Sequence, residues 1–118
     1  MAFAELFATL SEIMRPYAEH LDCKIDQADI LYLDTCYIMK NKKPLFFGSV
    51  QIKKNYVSYH LMPIYTNPEL LENISPALKK RMQGKSCFNF RKIQPELFDE
   101  LRQLTQAGFE TYRQQGYV

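Results

Sequence analysis

Tryptophan is absent from this 118-residue chain, histidine occurs twice and cysteine three times. The cysteines, Cys23, Cys36 and Cys87, are odd in number and widely spaced, which argues against a disulfide framework and against a Cys-x-x-Cys metal knuckle. They are expected to be reduced and to behave as small apolar residues in a cytoplasmic protein. No stretch approaches the roughly 20 apolar residues of a membrane span. The start of the chain also lacks the basic residues and continuous apolar run of a signal peptide. One-sided charge is missing as well: the net charge is +2 and the pI about 8.4. Without a clustered excess of Lys and Arg, nucleic acid is not an expected partner. Repeats, linkers and low-complexity segments are all lacking.

What is present is ordinary globular material, with 47% hydrophobic and 24% charged residues. A chain of this length forms one domain and buries roughly two thirds of its unfolded surface, enough to fold without staples. Phe3, Leu6, Phe7, Leu10, Ile13 and Met14 recur at spacings of three and four, predicting an N-terminal amphipathic helix. Pro16 should interrupt it, with Tyr17 and Leu21 extending the stripe into a second helical piece. Residues 30–39, 45–52 and 56–62 read as strands of an antiparallel meander, joined at Asn41-Lys42-Lys43-Pro44 and at Lys53-Lys54-Asn55. Phe46, Gly48, Val50 and Ile52 are expected on one face of the second strand. In the third, Val57, Tyr59 and Leu61 oppose Tyr56, Ser58, His60 and Met62, and periodicity does not say which set faces inward.

Asn67-Pro68 and Ser75-Pro76 each pair an N-cap residue with proline at the first helical position. The second of these helices should run to about Met82, with Gly84 as its left-handed terminator. Ser86 to Arg91 alternates as a further strand. Pro95 opens a last helix whose inner stripe is Leu97, Phe98, Leu101, Leu104, Thr105, Gly108 and Tyr112. The expected fold is α+β: a single antiparallel sheet of about five strands, with the N- and C-terminal helices packed on one face and short helices before the last strand. Its other face is left for solvent, a ligand or a second subunit.

Gly84-Lys85-Ser86 invites comparison with a phosphate-binding loop. The required glycine five positions upstream is replaced by Lys79, so a nucleotide-hydrolysing loop is excluded. Lys79, Lys80, Arg81, Lys85 and Arg91 make a local basic cluster, read either as a solvated helix end or as a site for a phosphate or carboxylate. Phe88 and Phe90 fit one core-facing side of a strand better than a stacking platform for bases. Glu96, Asp99 and Glu100 fall in the first turns of the last helix, where the helix dipole favours them. His60 has no neighbouring acid or histidine that would complete a metal centre. It also lacks an obvious nucleophile, although Ser58 shares its strand face and Cys87 would join it if the strands pair accordingly.

Four segments together resemble the bacterial YdhG-like superfamily, whose members are often labelled iron-chaperone-like or frataxin-like. They are Lys43-Pro44-Leu45-Phe46-Phe47-Gly48, the run from Asn55 to Tyr65, the run from Ser75 to Phe90, and Gly108-Phe109-Glu110-Thr111-Tyr112. The resemblance covers most of residues 33–118 and implies an α+β fold with a central antiparallel sheet, and no defined reaction. A frataxin-like role implies a ridge of exposed carboxylates. This chain has no dense acidic run, and no metal ligands carry over.

The functional expectation is a binding domain without a catalytic set, taking a small anionic ligand where the third-strand end meets the Gly-Lys-Ser segment. Tyr59, His60, Tyr65, Lys85, Ser86 and Asn89 are its expected lining: Lys85 supplies charge, Ser86 and Asn89 hydrogen bonds, and the tyrosines an aromatic wall. Iron handling and homodimerisation through the open sheet face are the alternatives. No cofactor is assigned.

Overall fold

A computed structural model describes residues 3–118. Helix α1 (Phe3–Met14) stops where Pro16 removes an amide donor, and the chain continues as a 3-10 helix over Arg15–His20. Six strands follow: β1 (Asp22–Asp26), β2 (Ile30–Ile38), β3 (Pro44–Ile52), β4 (Val57–Leu61), β5 (Met82–Gln83) and β6 (Cys87–Phe90). Between β4 and β5 lie the single-turn helix α2 (Pro63–Thr66), a 3-10 turn at Pro68–Leu71 and the single-turn helix α3 (Pro76–Lys79). Helix α4 (Pro95–Gln114) closes the chain. The strands form one fully antiparallel sheet in the order β1-β2-β3-β4-β6-β5.

Helices α1 and α4 pack against each other and cover one sheet face. The buried stripe of α4 is Leu97, Phe98, Leu101, Leu104, Thr105, Gly108 and Tyr112, as its periodicity predicts. It meets Val57, Tyr59 and Leu61 of β4 together with Phe88 and Phe90 of β6, all fully buried. The inward set of β4 is therefore the Val-Tyr-Leu set, and Ser58 and His60 face away from the helices. The Tyr59 hydroxyl reaches across the core to the Thr105 Oγ1 at 2.5 Å, which satisfies two polar groups that burial would otherwise strand.

Several local expectations are corrected. The sheet has two strands that periodicity misses: β1, which is short and mostly exposed, and β5, only two residues long. Helix α3 ends at Lys79 instead of continuing to Met82, because Met82 and Gln83 pair with Phe88 and Cys87. Gly84 has φ +78, the left-handed region expected of it, but it serves the β5–β6 turn and not a helix end. Phe46 does not share a face with Gly48. The β2–β3 register shifts between the Leu33–Gly48 and Asp34–Phe46 pairs, leaving Phe47 as an extra residue. Phe47 thus turns inward against Tyr17, Phe109 and Tyr112, while Phe46 packs on Tyr32 and His60.

Of the two expected N-caps, Ser75 caps α3 by accepting from the Leu78 amide. Asn67 does not cap. It is buried, and its amide donates to the Pro63 carbonyl while exchanging hydrogen bonds with Gln115. Glu100 has a more specific task than complementing the helix dipole. Its carboxylate accepts from both the backbone N–H and the hydroxyl of Ser75, at 2.8 and 2.7 Å, and so ties α3 to α4. Gly108 allows a close approach, tightest to Pro63 of α2 and looser to the sheet: a Cβ there would lie 3.0 Å from the Pro63 Cβ and 3.8 Å from the Leu61 Cδ2 of β4.

Two substitutions test this packing. A Cβ on Gly48 would lie 2.6 Å from the Met14 Cε and 2.8 Å from the backbone oxygen of His60. Met14 can move and the strand oxygen cannot, so Gly48→Ala is expected to cost about 1–3 kcal/mol of overpacking strain, read from the urea midpoint. Glu100→Ala should cost about 1.5–3 kcal/mol, the usual loss for hydrogen bonds to a charged acceptor. Glu100→Gln should recover part of it, since the amide oxygen still accepts one bond.

Candidate functional site

The uncovered sheet face carries the outward residues of the central strands. Cross-strand pairing places Ser49 opposite His60, Gln51 opposite Ser58, Ser58 opposite Asn89 and His60 opposite Cys87. These side chains, with Lys53, Tyr56 and Gln83, line an open cavity of about 250 Å³. Its floor is built from hydroxyl and amide groups, which alternate with the core residues because strand side chains point to opposite faces in turn.

His60 is the most constrained member. Its Nε2 lies 2.8 Å from the Ser86 Oγ, and its ring sits edge-on to Phe46 at 4.9 Å between centroids. The Ser86 carbonyl accepts from the Leu61 amide, so the turn after β5 is anchored to β4 through both backbone and side chain. Burial pushes the His60 pKa below its ordinary value of 6.5, favouring the neutral ring. The neighbouring Cys87 thiol is pushed up by burial, against smaller opposing effects of a Ser58 hydrogen bond and the Lys53 charge. Pairing does bring Cys87 beside His60, but a raised thiol pKa is the opposite of what an activated nucleophile requires. Ser86 is also largely buried, at 6% exposure, and is occupied by the histidine.

Next to this floor, on the β5 side, lies a second open cleft of about 460 Å³, lined by Tyr56, Lys80, Arg81, Met82, Gln83, Asn89 and Arg91. Tyr56, Gln83 and Asn89 belong to both concavities. The cations gather here because the α3–β5 elbow and the β6–α4 elbow meet at one end of the sheet, where the Asn89 backbone N–H donates to the Arg81 carbonyl at 2.7 Å. Lys80, Arg81 and Arg91 also line the adjoining surface toward Lys92 and Gln94. Ion pairs among the described residues lie elsewhere, at Arg15–Asp26, His20–Glu19, Lys24–Asp22, Arg102–Asp99 and Arg113–Glu110.

The six expected site residues are not all brought together. His60 and Asn89 line one cavity, and Ser86 holds His60. Lys85 and Tyr65 form their own exposed pair at the opposite end of β6 from Arg91, with the ammonium 5.9 Å from the ring centroid. Tyr59 is a correction: it is fully buried on the helix side, and its hydroxyl is spent on Thr105. Gln51, Ser58, Tyr56 and Gln83 line the cavity without belonging to the expected set of six. The alternation that groups Tyr56 and Ser58 with His60 was the available signal. Among the described residues, no group of three or more His, Cys, Asp and Glu side chains is placed to hold a metal ion, and no helix is long and apolar enough to cross a membrane. Comparison with protein-family models, with curated proteins and with solved structures gives no match.

The environment of His60 has a pH consequence. Because folding disfavours its protonated form, the unfolded chain takes up a proton first as pH falls through about 6.5, and stability drops from there toward the lowered folded value. Asp34 acts oppositely and at lower pH. Burial raises its pKa, Asp22 adds to this and Lys24 opposes it, so the cost of its charge is relieved on acidification. Urea midpoints between pH 7.5 and 5 are therefore expected to fall for the native sequence and to fall less for His60→Gln. Equal slopes would show that His60 does not carry the effect.

Proposed function

We propose that this YdhG-like chain is a binding module that takes a small anionic ligand on its open sheet face, in the cleft at the end of β6 away from the Gly84-Lys85-Ser86 turn. The observation that carries the proposal is the convergence of Lys80, Arg81 and Arg91 on one cleft, with no carboxylate among the described residues paired to them and the side chains of Asn89 and Gln83 alongside. Uncompensated cations cost solvation and mutual repulsion, which an anion offsets, and arginine's planar fork suits phosphate or carboxylate. The neutral His60–Ser86 pair lends the adjoining floor rigidity instead of charge. Lys85, beside Tyr65, is a second cation at the far end of β6.

A second reading, homodimerisation through the open face, draws on the half-buried aromatic group there: Tyr32 stacks on Phe46 at 4.7 Å, and Phe46 on His60. Light scattering over a concentration series separates the two, since a monomer at every concentration removes the dimer. The iron-handling reading has no comparable feature behind it.

A thermal-shift screen with phosphate, nucleotides and carboxylates tests the main proposal. A ligand at one hundred times its Kd adds about 2.7 kcal/mol, a rise on the order of 10 °C for a chain of this size. Arg81→Ala should abolish most of that rise and Lys85→Ala a smaller part. No stabilisation by any anion would end the proposal.

A further inference from the structure

We infer that the ligand is a phosphorylated polyhydroxy compound of the sugar-phosphate kind, with its phosphate between Lys80, Arg81 and Arg91 and its hydroxyl-bearing body over Gln51, Ser58, Gln83 and Asn89. This deepens the anion-binding reading and rests on it. The argument begins with the two concavities being chemically different and continuous. One gathers three cations, the other is mainly hydroxyls and carboxamides with exposed Lys53 as its single cation, and Tyr56, Gln83 and Asn89 belong to both. A bare anion would leave most of the hydroxyl and carboxamide groups unused.

This floor runs from Tyr56, just before β4, to His60, roughly 13 Å at about 3.3 Å per extended residue. Its cavity of about 250 Å³ leaves room beyond a phosphate group. The floor offers three carboxamides, from Gln51, Gln83 and Asn89, with the Asn89 side-chain amide donating to the Gln83 oxygen, and the hydroxyls of Ser49 and Ser58. Each carboxamide both donates and accepts, and each hydroxyl does the same. That matches a body whose own groups are hydroxyls, which likewise donate and accept. A nucleobase would instead call for a free aromatic platform. Tyr32, Phe46 and His60 are packed on one another at 4.7 and 4.9 Å, which leaves Tyr56 as the ring at the junction of the two concavities.

Calorimetric titration of the full chain with glucose 6-phosphate, inorganic phosphate, glucose, adenosine monophosphate and a single-stranded oligonucleotide tests the inference. Glucose 6-phosphate is expected to bind at least tenfold more tightly than inorganic phosphate and adenosine monophosphate, with glucose alone undetectable. Arg91→Ala should weaken both phosphate and the sugar phosphate at least tenfold. Gln51→Ala and Ser58→Ala, at half-buried positions of the sheet surface outside the cationic cleft, should erase the advantage of the sugar phosphate and leave phosphate affinity unchanged. Circular dichroism confirms that each variant is folded. If the sugar phosphate binds no better than phosphate, the inference fails and the anion reading stands. If no phosphate compound binds, both fail. Tighter, salt-sensitive binding of the oligonucleotide or of adenosine monophosphate would also overturn the inference, in favour of a nucleic acid or nucleotide.

Discussion

Strand β4 sits between β3 and β6, and its alternation divides the molecule into a buried half and an open half. Val57, Tyr59 and Leu61 are fully buried against the helices, and Ser58 and His60 face the other way. A slip of one residue in either pairing would exchange the two sets, burying a histidine and a serine and exposing a tyrosine. Three contacts oppose that slip. The Tyr59 hydroxyl finds Thr105 in the core, the backbone oxygen of His60 lies so close to Gly48 that a Cβ there would meet it at 2.8 Å, and the His60 ring is held by Ser86. The core contact and the surface contact are thus two consequences of one register.

The division of labour extends to the polar residues that stay buried. Tyr59 is held in the neutral phenol form by burial, and Tyr112 likewise, with its pKa pushed up to about 12. Each donates or shares a hydrogen bond within the core, Tyr112 to the Phe46 carbonyl at 3.2 Å. On the open face the polar groups remain at the surface, within reach of solvent or ligand. The same residue types therefore serve opposite ends, and strand parity alone decides which.

Much of the architecture is legible in the sequence because it rests on long periodic signals. The inner stripe of α4 and the three-strand meander are of this kind, and so is the interruption after Met14. What escapes depends on single residues or on partners distant in sequence. The extra residue Phe47 reverses the parity of β3 partway along, so Phe46 changes face. Strand β5 has two residues and exists only because β6 offers it a partner. Asn67 looks like a helix cap locally, yet its hydrogen bonds go partly to Gln115, 48 residues on. The site divides in the same way. The basic cluster is visible as a run of residue types, but the cleft between Arg81 and Arg91 arises from two elbows that meet only in the folded sheet. The sequence neighbourhood of Tyr59 points to the site, and strand parity turns it into the core instead.

The shortness of β5 has a further effect. An edge strand exposes unpaired N–H and C=O groups that invite another chain to extend the sheet. Here that edge offers only two residues before the chain turns at Gly84, with Lys80, Arg81 and Lys85 nearby. The opposite edge, β1, is broken by a register shift between Cys23 and Ile25, with exposed Lys24 at the irregularity. Neither border presents a flat, uncharged template, so the sheet resists propagation into fibrils at both ends even though a whole face of it stands open.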